Sequence, residues 1–464
     1  MFIDKDCFEY QISGIDFGHK DRATRFKTVL ETMARSQISL GFPQIFKDQY
    51  QLKGFYRLIN NDFVSHSTFI DGYQRGLIEY SKAQISDKSR WILIQDSMLT
   101  DYNSRQLDLG YTQTIHSNGL ILHHGLLLNA DFVPLGLLHQ EVIHRERESF
   151  GKSENTKNRV IEEKESNKWL KGIQTGSSFS QKSGRELIHI MDREADIVDL
   201  INLAQSEEQY FVIRARHDRS TLTNAERFKE ENTQIHRLFH LMRNVEEKKL
   251  IRRVLKDIKG KDYEAVCELN FQSLKFRAIK STVQCVWIRE HQPADEKNPV
   301  EWFLLTNLPV KTVTDAEKII ELYSKRWTIE DYHKCYKTGC SVEKRQFDSR
   351  KTLTTVIGLL ALLAVELLRS RYLAVNNKDA TFDSLGKTEE EIELAKKLAI
   401  KYLKPIDFTV CKEFSVLWWV LLLGRMGGHQ GFKQKGLPGW QSIWLGYQFY
   451  LNTLEGYTLY RNSS

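Results

Sequence analysis

The sequence predicts a mixed α/β fold with helical segments at both ends, and three observations carry that expectation. Two apolar runs, Trp91-Ile92-Leu93-Ile94-Gln95 and Glu186-Leu187-Ile188-His189-Ile190-Met191, read as short strands that end on Asp96 and Asp192. Residues 209–310 are rich in β-branched and aromatic residues, whereas the chain before residue 80 and after Pro309 reads as helical. Strands that each deliver an aspartate at the carboxyl end are how an α/β sheet builds a site.

Taken in order, residues 20–40 and 66–86 read as helices, with His19, Lys20, Arg22, Arg25 and Lys27 at the start of the first and Gly54-Phe55-Tyr56-Arg57 between them. Gly119 to Leu128 and Phe132 to Val142 are β-rich runs separated by turn residues. Arg145 to Lys168 is polar and reads as an exposed loop or lid. Strands are then expected at Gln209 to Arg216, Tyr263 to Phe271, Phe276 to Ile288 and Trp302 to Thr306, with the basic stretch Lys248 to Lys256 among them. Capping-box spacing at Thr314 to Glu317 and Thr388 to Glu391 opens two later helices. The expected segments are 1–80 (helical), 81–208 (core, first part), 209–310 (β-rich insertion and return strand), 311–374 (helix and core completion) and 375–464 (helical).

Composition bounds the function. With 464 residues, 41% hydrophobic and 27% charged, the chain has ample material for a core, which excludes disorder throughout. Cys7, Cys267, Cys285, Cys335, Cys340 and Cys411 are scattered without CxxC spacing, which argues against a zinc site or a disulfide framework. Asp4, Lys5 and Asp6 put charges where a signal peptide needs an apolar stretch, and the apolar run Val356 to Val365 stops at Glu366, which reads as too short for ~30 Å of hydrocarbon. The expectation is a soluble protein of a reducing compartment, with no membrane partner.

The formal charge of +7 divides unevenly: 0 over residues 1–80, −4 over 81–208, +5 over 209–310 and +6 over 311–464. An acidic segment followed by two basic ones suits a carboxylate core for divalent cations beside surfaces that attract a polyanion. Solvated faces give the same small excesses.

The richest segment runs from Tyr323 to Lys337. As one helix at ~100° per residue, it would project Tyr323, Arg326, Glu330, Lys334 and Lys337 within roughly 80° of one another. A solvated face with Glu330 and Lys334 as a surface pair gives the same pattern. Trp327, Ile329, Tyr332 and Tyr336 on its other sides suggest an enclosed helix, whose charges need partners such as phosphates. Two strand-end aspartates and a helix glutamate are what a two-metal phosphoryl-transfer site requires, because hard cations favour carboxylate oxygens.

Asp192-Arg193-Glu194-Ala195-Asp196 after a strand, with Tyr323-x2-Arg326-x3-Glu330-x6-Lys337, resembles the cut-and-paste DDE transposases of insertion-sequence family four. The likeness extends to Phe17-Gly18 to Arg25, Gly136 to Glu141, Glu163 to Trp169, Trp302 to Pro309, Trp418 to Gly428 and Trp440 to Tyr457. Ser97-Met98 depart from it, since a relative carries two threonines there.

The resemblance implies a ribonuclease-H-like catalytic core interrupted by a β-rich insertion, an N-terminal end-binding domain and C-terminal helices for dimerisation. It implies Asp96, Asp192 and Glu330 as metal-binding catalytic residues, with Mg2+ as cofactor and Mn2+ as its substitute. Arg326, Lys334 and Lys337 would hold phosphates and Tyr323 the DNA backbone. Trp302 would stack on a flipped base, although a core tryptophan at a strand start reads the same. Arg214, Arg216 and Arg219 match DNA-contacting positions or, read alone, a solvated strand edge; Arg22 and Arg25 would contact the transposon end. The implied partners are double-stranded DNA with terminal inverted repeats, target DNA and a second copy of the chain, in a bacterial cytoplasm at the nucleoid. Val416 to Leu423, with Trp418 and Trp419, reads as a dimer surface or as plain core. His139 and His333 read as structural. A DNA-binding regulator without cleavage activity and a structure-selective nuclease on the same fold are the alternatives.

Overall fold

The computed structural model describes residues 5–84, 87, 89–102, 107–151, 160–222, 235–245, 248–256, 262–293, 299–376, 381, 388–431 and 437–463. Part of the loop expected between Arg145 and Lys168, residues 152–159, lies outside them.

The described chain begins with α1 (Lys5–Ser13), α2 (Lys20–Ala34), α3 (Phe42–Ile45), α4 (Gln49–Ile59) and α5 (His66–Ala83). It continues through β1 (Trp91–Leu99), β2 (Ile121–Leu128), β3 (Pro134–Ile143), α6 (Asn167–Ser183), β4 (Leu187–Met191), α7 (Val198–Ser206) and β5 (Tyr210–Arg214). Next come β6 (Ser220–Leu222), β7 (Ile235–Arg237), α8 (Leu238–Arg243), β8 (Lys249–Lys256), β9 (Asp262–Phe276), β10 (Val283–Glu290) and β11 (Glu301–Thr306). The remaining helices are α9 (Val313–Ser324), α10 (Trp327–Lys334), α11 (Arg350–Asn376), α12 (Glu389–Tyr402), α13 (Val416–Met426) and α14 (Trp440–Ser463).

These elements form two compact units that interleave along the chain. The first comprises Met1–Ser89, Ser97–Lys152 and Thr328–Ser464, and the second Arg90–Asp96 and Ser153–Trp327. The chain therefore passes between units inside β1 and inside α10.

In the second unit β1, β4 and β5 are parallel, and β11, β10 and β9 continue the order antiparallel. Trp169, Ile173, Leu200, Phe211, Trp287 and Phe303 fill one cluster beside them, each worth about 1.5–3 kcal/mol of transfer free energy for a fully buried side chain. Two boundaries differ from expectation: β9 runs on to Phe276, and β10 begins only at Val283. The charged, turn-forming residues 277–281 take the place of the expected strand start. The basic stretch Lys249–Lys256 is itself a strand paired with β9, and it leaves Leu250 and Val254 exposed.

In the first unit, α1 and α5 meet so closely that a Cβ on Gly76 would lie 2.2 Å from the Tyr10 carbonyl oxygen. Helix α11 runs through its core, where the Tyr73 hydroxyl of α5 donates to the Gly358 carbonyl at 3.1 Å. The apolar run within α11 was expected to be too short for a membrane, yet Arg350–Ala374 is long and apolar enough to cross one. Its apolar window is 83% buried inside the protein, and the buried Glu366 pairs with Arg369 at 2.8 Å. It is thus accounted for as a core helix. Trp418 and Trp419 are fully buried, as is most of Val416 to Leu423, so that stretch is core and not a dimer surface.

The capping box of α12 is where the spacing places it, with Thr388 and Glu391. That of α9 shifts two residues upstream: Thr312 is the cap, and the Asp315 carboxylate accepts from the Thr312 and Lys311 backbone N–H groups. Thr314 is already helical, so its hydroxyl cannot serve as the cap.

Candidate active site

The second unit brings Asp96 and Asp192 to equivalent places. The parallel register pairs Trp91 with Leu187 and Ile94 with Ile190; Asp96 follows two residues later inside β1, and Asp192 comes directly after β4 ends at Met191. Beneath them, buried Gln95 and His189 join through Nε2 and Nδ1 at 3.0 Å. Helix α6 lies directly on that pair: a Cβ on Gly172 would sit 1.9 Å from Gln95 Oε1, and one on Gly176 2.4 Å from His189 Cε1. A side chain at either position would have to displace Gln95 or His189 from this pairing.

Each aspartate has a defined partner. Asp96 Oδ2 accepts from Arg326 Nη1 at 2.8 Å, and Asp192 caps a short 3₁₀ turn by accepting from the Glu194 N–H at 2.8 Å. Strand β1 does not end at Asp96, as expected, but continues to Leu99. Four residues after Asp192, the buried Asp196 accepts from the Arg216 and His217 N–H groups at 2.8 and 2.9 Å and pairs with Arg219 Nη1 at 2.5 Å. Arg219 is thus engaged within the protein, whereas Arg216 is exposed.

Tyr323, Arg326, Arg214 and Asp192 interact electrostatically in the same unit. Burial raises the Tyr323 phenol, and Arg326 and Arg214 oppose that rise. Burial lowers the Arg214 guanidinium, which is countered by Tyr323. Trp302 meets Tyr323 edge-on at 5.1 Å between ring centres and is half-buried. Arg214 also donates to the Glu301 carbonyl at 3.0 Å, tying β5 to the residue before Trp302.

The segment expected as one helix is interrupted. Helix α9 stops at Ser324, residues 325–326 form a turn, and α10 passes at Lys334 into a π-helical turn, Cys335–Gly339. The uniform 100° step from Tyr323 to Lys337 therefore fails, because a turn and a π-helix each reset the angular spacing. Nor is the segment enclosed all round: Ile329, Tyr332 and Tyr336 are buried, but Trp327 is 58% exposed.

In the first unit, Glu330 is half-buried on α10. Its neighbour Asp331 holds Lys334 at 3.3 Å and Arg371 at 3.4 Å. Lys337 pairs with Glu343 at 3.1 Å, and Glu343 also accepts from the Asp101 N–H. Two of the three cations expected to hold phosphate thus have protein carboxylates within this unit. Arg22 donates to the Phe17 carbonyl and lies over the Phe63 ring, while exposed Arg25 lines a groove of about 630 Å³ with Lys53, Arg57 and Tyr50.

Sequence reading takes His333 as structural but does not single out its partner His124 or the neighbouring His123. His124 and His333, distant in the chain, are hydrogen-bonded through Nδ1 and Nε2 at 3.0 Å, and His123 meets Ser97 at 2.9 Å. Only the unusual His123-His124 doublet in an apolar strand signalled them. Among the described residues, no group of three or more His, Cys, Asp or Glu side chains gathers as a metal site. The second unit holds both Asp96 and Asp192, side chains with hard oxygen donors, and Arg326 pairs with Asp96 at 2.8 Å.

Residues 174–365 match the family described as a transposase DDE domain. The matched span is shorter than half of the chain; it contains Asp192, Tyr323, Arg326, Glu330 and Lys337 and begins after Asp96. The match supports a DDE transposase, a DNA-recombining protein of a family that generally uses divalent metal ions.

Proposed function

We propose that this chain excises and inserts a mobile DNA element by metal-assisted phosphoryl transfer, with Asp96, Asp192 and Glu330 as its catalytic carboxylates. The observation that supports this most is the parallel pairing of β1 with β4, whose register ends two residues before Asp96 and Asp192. Asp96 lies outside the matched family span, so its assignment rests on that register.

The reaction would run as successive in-line displacements at phosphorus: a nick at the element's end, attack of the freed 3′-hydroxyl to form a hairpin, hairpin opening, and joining to target DNA. A bound Mg2+ pair, or Mn2+ in its place, would activate the attacking oxygen and stabilise the leaving one. Asp96, Asp192 and Glu330 would hold it. Arg326, which neutralises Asp96 in this structure, would turn to a phosphate oxygen when DNA binds, alongside Lys334 and Lys337. Tyr323, Arg214 and Arg216 would line the backbone path, with Arg219 holding Asp196 behind them, and Trp302 would stack on an unpaired base. Arg22 and Arg25 in the N-terminal helices would contact the terminal inverted repeat. Residues 375–464 would join two copies, so that both ends are cut together at the bacterial nucleoid.

The test is incubation of the purified protein with labelled terminal-repeat DNA, with and without Mg2+ or Mn2+. Metal-dependent nicking followed by a hairpin product is expected. Specific binding without any nick would favour a regulator, and cleavage of branched DNA regardless of end sequence would favour a structure-selective nuclease.

A further inference from the structure

Four side chains from four elements of the first unit form one hydrogen-bonded series that ends on α10. His66 Nε2, at the start of α5, lies 2.9 Å from Gln140 Oε1 on β3. Gln140 Nε2 lies 2.8 Å from His124 Nε2 on β2, its direct cross-strand partner in the hairpin register. His124 Nδ1 lies 3.0 Å from His333 Nε2. The middle of the series is enclosed, with His124 fully buried and Gln140 5% exposed, while His66 and His333 at its ends are half-buried; a Cβ on Gly358 of α11 would come within 3.2 Å of the His66 carbonyl.

Its proton order follows from the donor inventory. With the Gln140 oxygen accepting from His66 Nε2–H, the amide N–H donates to His124 Nε2. His124 then carries its proton on Nδ1 and donates to His333 Nε2. Burial agrees with this: it lowers His124 well below the ordinary imidazole range, with His333, His139 and His66 adding to the shift. Burial also lowers His66, partly offset by Gln140.

His124 grips the helix by more than this bond. Its ring lies edge-on to Tyr332 at 5.2 Å and to Tyr336 at 5.8 Å, so three residues of the Glu330 segment converge on one side chain of β2. We infer that Gln140 and His124 are positioning residues for Glu330: the series anchors α10 to the β2–β3 hairpin and sets where that carboxylate is presented. The inference rests on the proposed cleavage reaction for its consequence, but the anchoring itself is a property of the free protein.

The test compares Gln140→Met, which keeps the volume and removes both hydrogen bonds, with His333→Leu and with His333→Gln, whose amide can occupy the place of Nε2. Hydrogen exchange of residues 328–337 is measured on full-length protein without DNA, and single-turnover cleavage with Mg2+ on the same preparations. Gln140→Met and His333→Leu are expected to raise exchange in that segment about tenfold, since a buried partner is left unmet and local opening becomes easier. They should lower the cleavage rate with unchanged DNA affinity, and His333→Gln should restore both. Equal exchange in His333→Leu and His333→Gln would overturn the inference, as would loosening spread evenly over the unit or a loss confined to DNA affinity. If the unaltered protein cleaves no DNA, the proposed function fails, while the exchange comparison still decides the anchoring.

Discussion

Gly172→Ala perturbs the floor under Asp96 and is the sharpest stability prediction. Helix propensity alone favours alanine by about 1 kcal/mol in a helix interior. Against that, the new Cβ would stand 1.9 Å from Gln95 Oε1 and 2.5 Å from its Cδ, and Gln95 is fully buried. Overpacking a core contact costs about 1–3 kcal/mol, and displacing Gln95 from His189 leaves buried polar groups unmet at about 1–3 kcal/mol more. The net expectation is a destabilisation of about 3 kcal/mol, a fall in Tm of roughly 6–12 °C for a unit of this size. Thermal unfolding followed by circular dichroism reads it, with Gly456→Ala as the control, because a Cβ there meets nothing within 4 Å. An alanine at 172 that leaves Tm unchanged, or raises it as the control should, would refute the close approach of α6 to β1.

Three further outcomes follow from the same geometry. Asp196→Asn should destabilise the second unit by about 3–5 kcal/mol in chemical denaturation, since Arg219 loses its buried counter-charge; a change under ~1 kcal/mol, the scale of a surface pair, would contradict that role. Lys337→Ala should lower the slope of log affinity against log salt by about one if Lys337 exchanges Glu343 for a phosphate on binding DNA; an unchanged slope would show that it stays with Glu343. Trp302→Ala should slow hairpin formation more than the first nick, and Trp302→Phe should recover part of the difference, because stacking is worth about 1–3 kcal/mol per base. Equal effects on both steps would mark Trp302 as a support for Tyr323 alone.

Much of the fold was legible because β1 and β4 announce themselves locally: each is an apolar run that reaches an aspartate, and their in-register pairing follows once they are neighbours. The boundaries set by tertiary context were not legible. The turn at residues 325–326 and the π-helical turn at Cys335–Gly339 interrupt a segment whose composition reads as one continuous helix. Trp418 and Trp419 could be read as dimer surface or core until their burial was known, because an apolar helix face carries no mark of what covers it. The series from His66 to His333 was invisible for a different reason. Its members are separated by long stretches of chain, and hydrogen bonds across a hairpin and onto a helix leave no periodic signature. Arg219 illustrates the converse, since its spacing suggested an outward-facing cation while Asp196, read as part of a motif, is what holds it.

The central claim, that Asp96 and Asp192 jointly hold the catalytic cation, is tested most directly by metal-specific rescue of Asp192→Cys. A thiolate is a poor ligand for Mg2+ and a better one for softer ions. This variant should bind terminal-repeat DNA normally, fail to nick it with Mg2+, and regain nicking with Mn2+. Cleavage by Asp192→Cys with Mg2+ at the rate of the unaltered protein would contradict it.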